Sequence, residues 1–154
     1  VYIRLGRAKC EDIMPANMVF TLGKSTKLND GNDLTIIACG IMVAKAVEAA
    51  SILKSRGITA RVINMSSIKP IDKEAIIKAA KETGAVITCE EHTVMGGLGG
   101  AVAEVICKNF PVPMAMIGTE DTFGESGKAD DLLKKYGLTV EHIVEESIRI
   151  LERK

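Results

Sequence analysis

Leu34-Thr35-Ile36-Ile37-Ala38-Cys39-Gly40 is an apolar run rich in β-branched residues, and a stretch of helical character from Met42 to Arg56 follows it at once. Such a run suits a strand buried on both faces of a sheet. In the stretch behind it Val43, Val47, Ala50 and Leu53 recur at spacings of three or four, and Gly57 stands where a helix C-terminal cap belongs. The cycle then repeats. Ala60 to Met65 reads as a strand, Pro70 and Asp72 open a helix with Asp72 as N-cap, and Gly84 closes it. Ala85 to Cys89 is the next strand, Ala101 to Lys108 a helix, and Val112 to Ile117 a strand with Pro113 near its start. Ala129 to Tyr136 is a short helix stopped by Gly137, and Val140 to Arg153 a last one with Thr139 as N-cap.

Strands alternating with helices imply βαβ units. The predicted fold is therefore α/β, a three-layer α/β/α domain around a mostly parallel open sheet, with right-handed crossovers. Met18 to Leu22 breaks the alternation: it ends at Gly23, and the turn signal Asn29-Asp30-Gly31 follows. It is expected to lie antiparallel at one edge. Val1 to Leu5 alternates apolar residues with Tyr and Arg, a strand pattern with no hairpin partner of its own. Residues 1–15 are therefore expected to be the tail of an upstream domain plus a linker punctuated by Pro15, and residues 16–154 the domain itself.

Bulk composition excludes several function classes. A chain of 154 residues, 47% hydrophobic, suits one domain with a real core. Twenty basic residues balance twenty acidic ones, so no bulk charge draws it to nucleic acid or to an anionic membrane. Aromatics make up 3% and Trp is absent, which leaves no stacking platform for single strands. No apolar run approaches the roughly 20 residues of a membrane span. Val1 to Arg7 lacks the apolar stretch and cleavage site of a signal peptide, and without an initiator Met the chain reads as part of something longer. Cys10, Cys39, Cys89 and Cys107 form no C-x-x-C pair and read as reduced thiols of a cytoplasmic protein.

Ligands of an open parallel sheet bind beyond the carboxyl ends of the strands, at the point where strand order reverses. The predicted ends carry Cys39-Gly40, Met65-Ser66-Ser67, Glu90-Glu91-His92 and Gly118-Thr119-Glu120-Asp121. Glu90, Glu91 and His92 place two carboxylates beside an imidazole, a set suited to acid–base work. The same residues also suit loop caps or an interface with a neighbouring domain. Met95-Gly96-Gly97-Leu98-Gly99-Gly100 opens a helix, where bare N–H groups at Gly97 and Gly99 can cradle an anion. Its spacing is neither G-x-G-x-x-G nor a P-loop, and a tight turn bringing the helix close to the sheet explains it equally. His92 and His142 lie fifty residues apart, no Cys or His stands at zinc-ligand spacing, and no nucleophile elbow is present. Physical reading stops at an α/β domain without a self-contained active site.

Several segments together resemble the carboxy-terminal section of transketolase. They are Tyr2-Ile3-Arg4-Leu5-Gly6-Arg7, Ile68-Lys69-Pro70-Ile71-Asp72, Glu90 through Gly99, and Ile117-Gly118 with Asp121-Thr122-Phe123-Gly124-Glu125-Ser126-Gly127. The resemblance extends to the wider transketolase-like superfamily, with the 1-deoxyxylulose-5-phosphate synthases and the β subunits of 2-oxo-acid dehydrogenases. Those two groups typically follow the second strand with Asp-x-Arg. Here Asn64-Met65-Ser66-Ser67 lacks that arginine, which favours the small subunit of a split transketolase.

The resemblance implies transfer of a two-carbon ketol unit between sugar phosphates, on thiamine diphosphate held with Mg2+ in the intact enzyme. The family's Gly-Asp-Gly metal motif and its activating glutamate belong to other domains, so this chain is expected to bind neither group and to be inactive alone. Implied partners are the amino-terminal and pyrimidine-binding domains of the same enzyme, in a homodimer. Arg7 matches a family arginine that contacts substrate phosphate, and a guanidinium suits that role by pairing bidentately. Gly40, Glu90, Glu91, His92, Gly97 and Gly99 remain a candidate anion or interdomain site. A free-standing domain that binds an anion or small molecule is the reading from another class.

Overall fold

A computed structural model describes residues 1–3, 10–14 and 16–154. Five strands form one sheet in the order β1-β3-β2-β4-β5. They are β1 (Thr26–Asn29), β2 (Leu34–Ala38), β3 (Ala60–Asn64), β4 (Val86–Thr93) and β5 (Met114–Thr119). The helices are α1 (Met42–Ser55), α2 (Lys73–Thr83), α3 (Leu98–Asn109), α4 (Ala129–Lys135) and α5 (Val140–Leu151). All strand pairs are parallel except β1 with β3.

β2 is the centre of the molecule because every one of its side chains is buried. Leu34, Ile36 and Ala38 share one core with Met42, Ala46 and Leu53 of α1 and with Ile143 and Ile150 of α5. Ile37 points the other way, into a second core with Ile76 of α2 and Leu98 and Val102 of α3. Alternation along a strand thus feeds both faces, and the three layers follow. Each fully buried Leu or Ile contributes on the order of 1.5–3 kcal/mol. Polar side chains fasten the layers. The hydroxyls of Thr35 and Thr83 meet at 2.8 Å between β2 and the end of α2. Asp72 caps α2 through the Ala75 N–H and also accepts from the N–H and hydroxyl of Ser25, just before β1.

Direction of travel sets the functional end. From β2 the chain passes over one face through α1 to β3, then returns over the other face through α2 to β4 and α3 to β5. Strand order therefore reverses between β2 and β4, and the carboxyl ends of these strands are where ligands of such sheets bind.

The predicted architecture holds, with corrections at its edges. The antiparallel edge strand is Thr26–Asn29, not Met18 to Leu22. Val19, Phe20 and Leu22 stand exposed on this domain, so apolar content there does not mark a buried strand. Val1–Ile3 forms no strand and is exposed; the remainder of the expected Val1 to Leu5 strand, Arg7 and Pro15 lie outside the described residues. β4 continues to Thr93, so Glu90 to Thr93 belong to a strand rather than a loop, with a register shift between Cys89 and Thr93. α3 begins at Leu98, three residues before the expected Ala101. Among the described residues no helix is long and apolar enough to cross a membrane.

Candidate functional site

The β4 side of the switch point is built around Glu90. The residue is 1% exposed, and its carboxylate accepts the N–H groups of Leu98 at 2.7 Å and Gly99 at 2.8 Å. A carboxylate at a helix N-terminus satisfies orphan donors and meets the positive end of the helix dipole. Two of the donors that the glycine spacing offers to an outside anion are thus filled from within the chain. The Gly99 N–H is thus taken, and the carboxylate cap accounts for the start of α3 at Leu98.

The glycines are sized to this arrangement. A Cβ on Gly97 would run into the Glu90 carboxylate and stand 2.9 Å from the Thr93 carbonyl oxygen. One on Gly99 would lie 2.8 Å from Met116 Sδ and 3.0 Å from Thr88 Oγ1. Gly96 has φ +76°, a left-handed turn that favours glycine. The turn lets α3 sit close against β4 and β5, as the packing reading of the sequence has it.

Glu91 and His92 are exposed, whereas Glu90 is not. His92 Nδ1 accepts the Thr93 N–H at 2.6 Å. Among the described residues no hydrogen bond or ion pair joins His92 to Glu90 or Glu91. The three residues are neighbours in sequence but do not assemble as one acid–base group. Gly40 stands on the β2 side of the switch point, just after β2, with φ +59° and open space where a Cβ would be. Burial and the nearby charge of Glu90 raise the Cys39 thiol to about 11. Burial raises that of Cys89 further, followed by the influence of Cys39 and Glu90. Neither thiol is poised as a nucleophile.

Sequence reading passed over Arg61. It lies in β3 with its side chain 8% exposed, its Nη1 2.6 Å from Glu82 and its Nε 3.7 Å from Asp30. Asp30 in turn meets Lys27 Nζ at 2.7 Å. These residues line a groove of about 720 Å3 with Gly31, Asn32 and Thr59, at the amino ends of β2 and β3 and away from the switch point. Opposite charges there satisfy one another. The available signal was a lone arginine inside the apolar run Ala60 to Met65.

Among the described residues no three His, Cys, Asp or Glu side chains converge as a metal site. The Leu98 and Gly99 N–H groups are bonded to Glu90 and so are not free donors for a diphosphate.

Comparison with known proteins identifies the architecture. The family described as "Transketolase, C-terminal domain" matches residues 23–143. A 6-deoxy-6-sulfo-D-fructose transketolase subunit of Clostridium sp. (strain MSTE9) is 48% identical over 154 residues, covering 100% of this chain and 48% of its own length. A 1-deoxy-D-xylulose-5-phosphate synthase of Pelotomaculum thermopropionicum is 43% identical over 137 residues, covering 88% of this chain and 21% of its own. Among solved structures, "Split gene transketolase, inactive beta4 tetramer" superposes with a TM-score of 0.91 at 46% identity, covering 95% of this chain and 48% of that one. The chain thus spans about half the length of its split-transketolase relatives.

Proposed function

The chain belongs to the transketolase C-terminal domain family, and from that premise we propose that it is the carboxy-terminal domain of a split transketolase subunit moving a two-carbon ketol unit between sugar phosphates. The observation that carries this reading is the match to such a subunit along the whole of this chain at 48% identity. The absence of the Asp-x-Arg element at Asn64-Met65-Ser66-Ser67 supports it against the synthase reading.

In this reading the domain does not carry the chemistry. Transketolase-family enzymes use thiamine diphosphate, which supplies carbanion stabilisation when bound. On the strength of the resemblance, the cofactor and its Mg2+ are assigned to the amino-terminal and pyrimidine-binding domains of the enzyme, within a homodimer. Gly40, Glu91 and His92 then serve as interdomain contacts at the carboxyl end of the sheet. Arg7 is assigned to substrate phosphate on the strength of the resemblance alone.

The test is reconstitution with the thiamine-binding part of the enzyme. Ketol transfer from a ketose phosphate to an aldose phosphate is expected in the complex and not from the chain alone. Condensation of pyruvate with glyceraldehyde 3-phosphate, with loss of carbon dioxide, would overturn this reading in favour of the synthase. In the active complex, Arg7→Ala should raise KM for phosphorylated sugars roughly tenfold or more, the loss of one charge-assisted pair. An unchanged KM removes Arg7 from the site.

A further inference from the structure

The groove at the amino ends of β2 and β3, about 720 Å3, is within the roughly 300–1,000 Å3 of small-molecule sites. Its wall is preformed. Asp33, just before β2, accepts both the N–H and the hydroxyl of Thr59 at 2.6 Å, and the Asn32 N–H donates to the Thr59 hydroxyl at 3.2 Å. A Cβ on Gly31 would run into the backbone at Ala60 and Arg61. The turn between β1 and β2 is therefore pressed onto the start of β3. On the β1 side, pairing with β3 shifts register between Lys27 and Asn29. Such a shift bends an edge strand and re-aims its side chains, a device common beside binding sites.

Charge in the groove is balanced, but hydrogen bonding is not. Lys27 and Arg61 face Asp30 and Glu82. Arg61 Nη1 bonds Glu82 at 2.6 Å, whereas Arg61 Nε is buried without a hydrogen-bond partner. Asp30 Oδ1 approaches Nε only to 3.7 Å, beyond hydrogen-bond reach, while its Oδ2 takes the Lys27 ammonium at 2.7 Å. A guanidinium N–H left buried and unpaired calls for an acceptor. The side chain of Asp30 is 69% exposed, so its carboxylate can turn into solvent and leave the space between Lys27 Nζ and Arg61 Nε to a better-placed oxygen.

We propose that this groove binds a small polyol bearing an oxyanion, a phosphate ester or a carboxylate, with the anion between Lys27 and Arg61 in place of the Asp30 carboxylate. The hydroxyls of the ligand donate to Glu82, whose side chain is 43% exposed and keeps acceptor capacity beyond its bond to Arg61, and meet the side-chain amide of Asn32. The groove takes such a ligand whichever reaction the whole enzyme performs, because it stands away from the switch point and draws on none of the residues there.

Hydrogen exchange of the whole enzyme with ribose 5-phosphate, gluconate or uncharged ribose as probe tests the site. With a charged probe at about twice its half-saturation concentration, amides of residues 30–33 and 58–61 should exchange about threefold more slowly. Protection by either charged probe upholds the site and tells phosphate from carboxylate; equal protection by ribose overturns it. Lys27→Ala removes an exposed ammonium and should raise the half-saturation concentration about tenfold. Asp30→Asn removes the internal competitor and should lower it. Lys24→Ala makes the same charge change outside the groove and should leave it unchanged. No protection with both charged probes at about 20 mM overturns the site. So does a half-saturation concentration that Lys27→Ala leaves as it was, that Lys24→Ala raises equally, or that Asp30→Asn fails to lower.

Discussion

Glu90 is a buried carboxylate whose partners are two backbone N–H groups rather than a cation. Removing it leaves two donors of α3 unpaired in a dry setting, and each such group costs about 1–3 kcal/mol. Glu90→Ala should therefore lower unfolding free energy by about 2–4 kcal/mol in urea, and Glu90→Gln, which keeps one acceptor oxygen, by less. A change below about 0.5 kcal/mol for the alanine variant would contradict this role. Gly97→Ala attacks the same feature sterically, because its Cβ meets the Glu90 carboxylate and the Thr93 carbonyl. The expected cost is about 1–3 kcal/mol, the range for overpacking, again read from urea midpoints. The glycines of this turn were legible in the sequence, but their partner was not. Nothing in the order of residues 90–99 says that a strand extension brings a carboxylate back onto the helix start.

At the scale of elements, Asp72 joins α2 to the segment leading into β1. Burial disfavours its charged form, but bonds from the Ser25 N–H, the Ala75 N–H and the Ser25 hydroxyl, together with Lys24, outweigh that and hold its carboxyl below the usual value. A carboxyl depressed in the folded state adds stability above its unfolded pKa, about 3.9, and loses it as pH falls through the folded value. Asp72→Asn should therefore lower the melting temperature at neutral pH and flatten its fall below about pH 4. An identical acid slope in both proteins would show that Asp72 is not the titrating group. The cap itself was readable from Pro70-Ile71-Asp72, because capping is local chemistry. The edge strand was misplaced because a four-residue polar strand, Thr26–Asn29, is defined by its partner β3 rather than by its own composition.

Across the whole molecule, Arg61 ties three elements: it meets Glu82 on α2 from β3, and Asp30 in the turn after β1. Glu82→Ala should cost about 1–2 kcal/mol, less than for a fully buried pair because Glu82 is 43% exposed. The double variant Arg61→Met, Glu82→Ala should recover much of that loss, since the desolvated charge goes with its partner. Additive losses in a double-mutant cycle would show the two side chains to be independent.

The layered α/β fold was determined by sequence alone, because burial on both faces of β2 and helical spacing after it are local patterns repeated down the chain. The cap at Asp72 and the helix-ending Gly57, Gly84 and Gly137 were determined in the same way, each with its expected geometry. Only tertiary structure decided which carboxylate occupies the start of α3, that Glu90, Glu91 and His92 part company, and that Arg61 is buried. It also decided that Met18 to Leu22 faces outward. Each of these depends on contacts between residues distant in sequence or on which side of a strand faces the core, and a one-residue slip of register is enough to reverse the latter.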